Sequence, residues 1–317
     1  MMMLKMPCAR VALLAVCLGA LLNACAGDKG KLPPKPSNGS EQFSGSAQKS
    51  LLDQLFPTVQ SAPEALALGD GSLREGKEEL ALVYYLRAYD LDNRNLDSLR
   101  KMAAIYVRRG DTRLADLAYR AMLKAAPNDA GANESLGLSR LNGRRYGEAE
   151  GYLKRALASD RRRWRSMNAL GIIADLRGNH GAAIAHYRAA AAVMPESPML
   201  LSNIGYSHYL AGDQRRAREY LNQALGLDPR YGRAARNLGL VEAREGHYQA
   251  AISLLSQVMR PHAAYNNVGY VCMMKGDYPQ AEKFFAESIA LAPSYYERAH
   301  DNMKQLRALT GSAAQGS

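Results

Sequence analysis

Asn203, Asn237 and Asn267 recur at one place in three successive stretches of this 317-residue chain, each directly before an apolar residue and a glycine. A primary amide offers donors and an acceptor together, which suits a side chain that holds an extended peptide backbone. One helical turn further on stand Ile172, Tyr206, Leu240, Tyr270, Met273 and Met274, rings and thioethers that can receive peptide side chains. Arg165, Arg233, Arg236 and Arg244 add positive charge beside them. The chemistry implied is capture of a segment with acidic or carboxylate character. The same amides could instead brace neighbouring helices, and the sequence leaves both uses open.

A second charged feature is the run Arg161-Arg162-Arg163-Trp164-Arg165. Guanidinium groups around an aromatic ring can grip phosphate or carboxylate, and a solvated turn between repeats is the competing use. Catalysis needs a convergent set of groups, and none is visible. No GxSxG, HExxH, Walker A or paired CxxC motif occurs, and His180, His186, His208, His247, His262 and His300 are scattered. Ser46-Ala47-Gln48-Lys49 matches a bare SxxK pattern without the companion motifs of the enzymes that use it. No enzyme activity, cofactor, metal site or small-molecule substrate is expected.

Three ladders reveal the elements that position these residues. Small residues fall every 34 positions at Gly69, Ala103, Gly137, Gly171, Gly205 and Gly239, with Gly269 after a shortened step of 30. In phase run Ala81, Ala115, Ala149, Ala183, Ala217, Ala251 and Ala281, so two helices must approach closely in every unit. Asn93, Pro127, Arg161, Pro195, Pro229 and Pro293 mark the unit ends, where proline stops the second helix. This period denotes tetratricopeptide-type helix pairs. Units begin near Ala62, Leu96, Ala130, Trp164, Pro198, Gly232 and His262 and turn at Gly76, Gly110, Gly143, Gly178, Gly212, Gly246 and Gly276. Within the fifth unit Leu201, Ile204 and Gly205 face Ala217, Leu221 and Ala224. The expected fold is all-α: a right-handed tetratricopeptide-repeat superhelical solenoid over residues 61–309, of about seven helix pairs and a polar C-terminal capping helix, followed by a disordered tail at 310–317.

Ahead of the repeats, Lys5 and Arg10 precede an apolar run from Val11 to Leu22, too short to span a bilayer but suited to a signal peptide. The run ends in Leu22-Asn23-Ala24-Cys25, which resembles the lipobox of bacterial lipoproteins, where the cysteine is lipidated and becomes the new N-terminus. Residues 1–24 are therefore expected to be removed, Cys25 to carry the lipid, and residues 25–60, rich in Gly, Pro, Ser and Lys, to form a flexible tether with a reach of ~30 Å. Leu51, Leu52, Leu55 and Phe56 form a short apolar cluster within it. Lipoprotein sorting, with Ala26 rather than aspartate after the cysteine, implies the periplasmic face of the outer membrane. Cys272 would then be the only remaining thiol, at a core-type position, so no intramolecular disulfide can form. Removal of Lys5 and Arg10 lowers the formal charge from +11 to about +9, a balance that favours an acidic partner or surface. Nucleic acid is not expected for an exported, lipid-anchored chain.

A narrower resemblance follows from the lipobox, the segment SMNALGIIADLRGNHGAAIAHYRAA and the shortened sixth unit, where the second helix is cut at Arg260-Pro261 before an Asn-Asn-Val-Gly-Tyr step. These are similar to the TadD family of tetratricopeptide lipoproteins of the tight-adherence (Flp pilus) machinery. That resemblance implies a non-catalytic interaction scaffold helping a pilus secretin or other assembly components to assemble or localise. The alternative is an adaptor of the same architecture, pilotin-like for type IV pili or serving cell-wall hydrolases.

Overall fold

The computed structural model describes residues 58–314. The expected signal peptide, Cys25, the apolar cluster at Leu51–Phe56 and the part of the expected tether before Thr58 lie outside the described residues. Among the described residues there are fifteen α-helices and no strand, and no helix is long and apolar enough to cross a membrane.

The chain falls into two compact units that divide between Asp160 and Arg161. The first holds three hairpins, α1 (Ala62–Arg74) with α2 (Glu78–Leu91), α3 (Leu96–Arg108) with α4 (Thr112–Ala125), and α5 (Ala130–Asn142) with α6 (Tyr146–Ser159). The second holds four, α7 (Trp164–Leu176) with α8 (His180–Val193), α9 (Pro198–Leu210) with α10 (Gln214–Leu227), α11 (Gly232–Glu245) with α12 (Tyr248–Ser256), and α13 (Pro261–Lys275) with α14 (Tyr278–Leu291), and closes on α15 (Glu297–Ala314).

A two-residue step ends one helix of a hairpin and starts the next. At Gly110 the backbone turns left-handed, φ +75°, and the Asp111 N–H reaches back to the Tyr106 carbonyl at 2.9 Å. The Asp111 carboxylate then accepts from the Leu114 N–H at 3.0 Å and caps α4. Gly178-Asn179, Gly212-Asp213 and Gly276-Asp277 repeat the device. The third hairpin departs from it. Its left-handed residue is Arg144, φ 58°, and Gly143, which the sequence offers as the turn residue, is right-handed with φ −79°.

The second helices end two residues before the proline ladder, and α2 and α6 end in the same register although the ladder residue there is Asn93 or Arg161. The terminating residues Asp92 and Asp160 take extended backbone, as Asp228 does before Pro229. Proline accompanies the stop without being required for it.

The small-residue ladders are the core. Ala81, Ala115, Ala149, Ala183, Ala217, Ala251 and Ala281 are all buried. A Cβ added to Gly205 would lie 2.7 Å from Leu221 Cγ and 3.1 Å from the Ala217 carbonyl; on Gly171 it would lie 2.5 Å from Tyr187 Cε1. Gly69 meets Tyr85, Gly137 meets Leu153, Gly239 meets Leu255 and Gly269 meets Phe285 in the same way. In each case the partner is the large residue sixteen positions later. Cys272 is buried, as its core-type position implies, and burial pushes its thiol up.

Both boundaries of the repeat region differ from the sequence expectation. Val59, assigned to the tether, is buried with Ala62, Ala65 and Ala88. Its carbonyl accepts from Nε and Nη2 of the buried Arg87 at 3.2 and 2.9 Å. At the other end, α15 continues past Leu309 to Ala314, into the stretch expected to be a disordered tail. In the shortened sixth hairpin, α12 has 9 residues where the other second helices have 14.

Gly205→Ala is expected to lower the unfolding free energy by about 1–3 kcal/mol through overpacking, although alanine is the better helix former. Arg144→Gly is expected to raise it by up to ~1 kcal/mol by relieving left-handed backbone. Urea unfolding followed by far-ultraviolet circular dichroism measures both, and a neutral or stabilising Gly205→Ala would show that the close approach does not constrain the hairpin.

Candidate functional site

The first helices of the second unit are tied side by side by polar links. Asn203 on α9 donates from Nδ2 to Asn168 Oδ1 on α7 at 2.8 Å. Asn237 on α11 donates to Ser202 Oγ on α9 at 3.3 Å, and Asn302 on α15 donates to Asn266 Oδ1 on α13 at 2.9 Å. Asn267 departs from the pattern, with Nδ2 3.1 Å from Met259 Sδ. Of the two uses the sequence leaves open for Asn203 and Asn237, the structure places both in bracing contacts.

A deeper hub supports the same face. The Asp175 carboxylate on α7 accepts from Ser207 Oγ on α9 at 2.5 Å and from Tyr187 Oη on α8 at 3.1 Å, while His180 Nδ1 lies 2.9 Å from its other oxygen. Burial, reinforced by the Asp175 charge, pushes the Tyr187 hydroxyl well above its ordinary value and keeps it a neutral donor. The hydroxyl of Ser207 meets the carboxylate and not the imidazole, so these residues form no nucleophile and base pair. They clamp three helices. Nothing in the repeat pattern singles out this hub, because Asp175 and Ser207 are 32 residues apart and lie off the ladders.

What remains free is a stripe across α9, α11 and α13. Tyr206 is 37% exposed, Leu210 37%, Tyr270 44% and Met274 68%, values high for large apolar side chains packed beside a core. Met273, grouped with them in the sequence, is buried in the core instead. Arg233, Arg236 and Arg244 are exposed between these two apolar rows, and Arg244 lies over the Tyr209 ring at 5.5 Å from its centroid. Tyr209, Arg244, Tyr270, Val271, Met274 and Lys275 line a notch of about 200 Å3. Tyr209 and Lys275 extend the site beyond the residues expected from the sequence; their signal is that each sits within one helical turn of an exposed ring or thioether.

The basic run lies apart from this stripe, at the start of the second unit. Arg161, Arg162 and Arg165 are exposed, Arg163 and Trp164 half-buried, and Arg165 covers the Trp164 ring at 4.7 Å. A further grouping, Glu242, Glu245 and His247, brings three possible donor atoms within 4.8 Å. Arg218 occupies it, with Nε 2.8 Å from Glu242 and Nη2 paired to Glu245. Burial raises the Glu242 carboxyl, and the Arg218 and His247 hydrogen bonds outweigh that and hold it below its ordinary value. The group is an ion-pair network joining α10 to α11.

Comparison with known proteins places this geometry. The tetratricopeptide repeat model matches residues 100–161, 135–198 and 203–261, and a second tetratricopeptide repeat model matches 262–295. The Photosystem I assembly protein Ycf3 of Rippkaea orientalis is 28% identical over 138 residues, 42% of this chain and 70% of that protein. Among solved structures, pilF of Pseudomonas aeruginosa superposes with a TM-score of 0.51 at 20% identity, covering 67% of this chain and 96% of that one. A chain of the APC/C hetero-tetramer Cut9-Hcn1 superposes with a TM-score of 0.51 at 18% identity, covering 82% of this chain and 52% of that one. At these identities the structural likeness is one of fold.

Asn203→Ala is expected to cost about 1 kcal/mol of stability through the lost inter-helix hydrogen bond, while exposed Arg236→Ala stays within roughly 0.5 kcal/mol of the parent. Equilibrium denaturation of the two variants separates brace from contact residue, and an unchanged Asn203→Ala would return the asparagine to the open face.

Proposed function

Because the chain belongs to the tetratricopeptide repeat family, whose repeats build protein-interaction scaffolds, we propose that it is a non-catalytic docking platform for a partner protein and that the stripe on α9, α11 and α13 receives that partner. The observation that carries the reading is the exposure of Tyr206, Tyr270 and Met274 beside arginines, on a face where the neighbouring polar side chains are consumed in holding helices together. Large apolar groups left in water next to cations mark a surface that is covered in use. Helices already folded and braced bring little ordering cost to the encounter on the scaffold side.

The finer reading rests on the sequence. Leu22-Asn23-Ala24-Cys25 supports lipidation at Cys25, the segment before the repeats supports a tether, and the shortened sixth unit supports membership of the tight-adherence type of lipoprotein. On that reading the chain is held by lipid at the periplasmic face of the outer membrane, and its partner is a secretin or another component of pilus assembly.

Membranes from cells carrying tagged full-length chain are crosslinked, solubilised and purified on the tag. The parent is expected to recover a secretin. The combined variant Arg236→Ala, Tyr270→Ser, Met274→Ser is expected to lose roughly nine-tenths of it, consistent with removal of contacts at the centre of an interface, while Arg161→Ala with Arg165→Ala retains it. Cys25→Ala should move the chain out of the membrane fraction. Recovery of cell-wall hydrolases alone would overturn the pilus assignment, and undiminished recovery with the triple variant would overturn the face.

A further inference from the structure

The charge on the α11 face is uncompensated. Several arginines elsewhere in the described helices pair with carboxylates: Arg100 with Asp97 and Asp129, Arg109 with Glu78 and Glu79, Arg140 with Asp116. On α11 the two acids, Glu242 and Glu245, are both taken by Arg218 of α10. Among the described residues no carboxylate lies within ion-pair distance of Arg233, Arg236 or Arg244. These three, with Leu240, follow positions i, i+3, i+7 and i+11 and so share one face of the helix. The rows on either side are apolar, Tyr206 and Leu210 on α9 and Tyr270 and Met274 on α13, and both helices pack directly on α11. Across the face the order is therefore apolar, basic, apolar.

Geometry sets the spacing of what fits. First helices in contact lie about 8–10 Å apart. A polyproline II chain rises about 3.1 Å per residue with three residues per turn, so every third side chain returns to the same side after about 9 Å. A fully extended strand alternates sides, and residues three apart would point in opposite directions. One turn of polyproline II thus matches one step from helix to helix.

We propose that this face recognises a segment in polyproline II conformation carrying an apolar, an acidic and an apolar residue at three-residue intervals, laid across α9, α11 and α13. The proposal rests on the docking reading above and adds the conformation and side-chain pattern of the partner. The acidic residue pairs with Arg236 or Arg244, each able to bind a carboxylate bidentately. One apolar side chain enters the notch between Tyr209, Tyr270 and Met274, and the other lies on Tyr206 and Leu210. Proline at the intervening positions costs nothing, because those residues face away and the conformation dispenses with internal hydrogen bonds.

The probe is a fluorescein-labelled peptide with Phe-Ser-Pro-Glu-Ser-Pro-Leu at its centre, titrated with the full chain and read by fluorescence anisotropy. A second peptide replaces Glu by Lys, and a third lacks the serine between Phe and Pro, which puts the acid out of register. The parent peptide is expected to bind, and the other two to bind roughly ten-fold more weakly or less. Arg236→Ala with Arg244→Ala should weaken the parent peptide by a similar factor, and Tyr270→Ser with Met274→Ser should do so independently. Circular dichroism confirms that these exposed variants remain folded. Equal binding of the parent and out-of-register peptides would overturn the pattern. So would failure of all three peptides to bind, even where the triple variant loses its membrane partner and the docking face itself stands. Peptide binding in the expected order, with partner recovery unaffected by the triple variant, would uphold the recognition pattern and remove the secretin reading.

Discussion

The structure depends on one contact repeated in nearly every hairpin: a large side chain of the second helix laid directly on the backbone of the first, where glycine leaves room for it. Tyr85 on Gly69, Leu153 on Gly137, Tyr187 on Gly171, Leu221 on Gly205, Leu255 on Gly239 and Phe285 on Gly269 are one interaction with different rings and branches. The spacing of sixteen residues is fixed by a three-residue turn joining helices of 13 and 14 residues. An insertion in either helix would carry the side chain off its glycine. The sixth unit shows where length can change without cost to this contact. Its missing residues come from the far end of α12, after Leu255 has already met Gly239.

That contact draws each pair together mainly through apolar groups, with the Tyr85 and Tyr187 hydroxyls reaching Asp70 and Asp175 of the same pair, and other polar side chains join one pair to the next. In the first unit Lys101 reaches Asp70, Arg109 reaches Glu78, and buried Arg140 reaches Asp116 at 2.6 Å. In the second, Asp175 collects Ser207, and Arg218 collects Glu242. A buried cation or carboxylate without such a partner would be costly, so the joints specify which pair follows which. On α11, Arg233 and Arg236 have no carboxylate partner among the described residues, and Arg244 meets only the Tyr209 ring of α9.

Much of this was legible in the sequence, for a physical reason: a contact that recurs every 34 residues writes itself as a column of small side chains, and Gly205 or Ala217 can be placed by register alone. Register fails where the chain departs from it. Gly143 sits one position before the left-handed slot, so the nearest glycine suggests itself as the turn while Arg144 performs it. Val59 looked like tether because its partner, Arg87, lies 28 residues away and a lone arginine in a helix gives no sign that it will be buried against a carbonyl. The asparagines were ambiguous for a different reason. An amide that can hold a peptide can equally hold a helix, and in the structure the Asn203 amide donates to Asn168 at 2.8 Å. Tyr206, Tyr270 and the α11 arginines are exposed, and exposure at the first-helix position follows from the same period.

The last described helix departs from the repeat contact at one position. By its register α15 is the first helix of an eighth pair: Asn302 bonds back to Asn266 as Asn203 does to Asn168, and Ala299 and Leu306 are buried. At the glycine position, 34 residues after Gly269, it carries Met303, only 8% exposed. Met303 packs in the same apolar cluster as Cys272, Phe284, Phe285 and Leu306. The polar residues Arg298, Asp301 and Lys304 meet water on the remaining faces. The glycine contact of six hairpins is thus replaced in α15 by a buried methionine, and the exposed stripe on α9, α11 and α13 lies where each first helix is held by its own second helix.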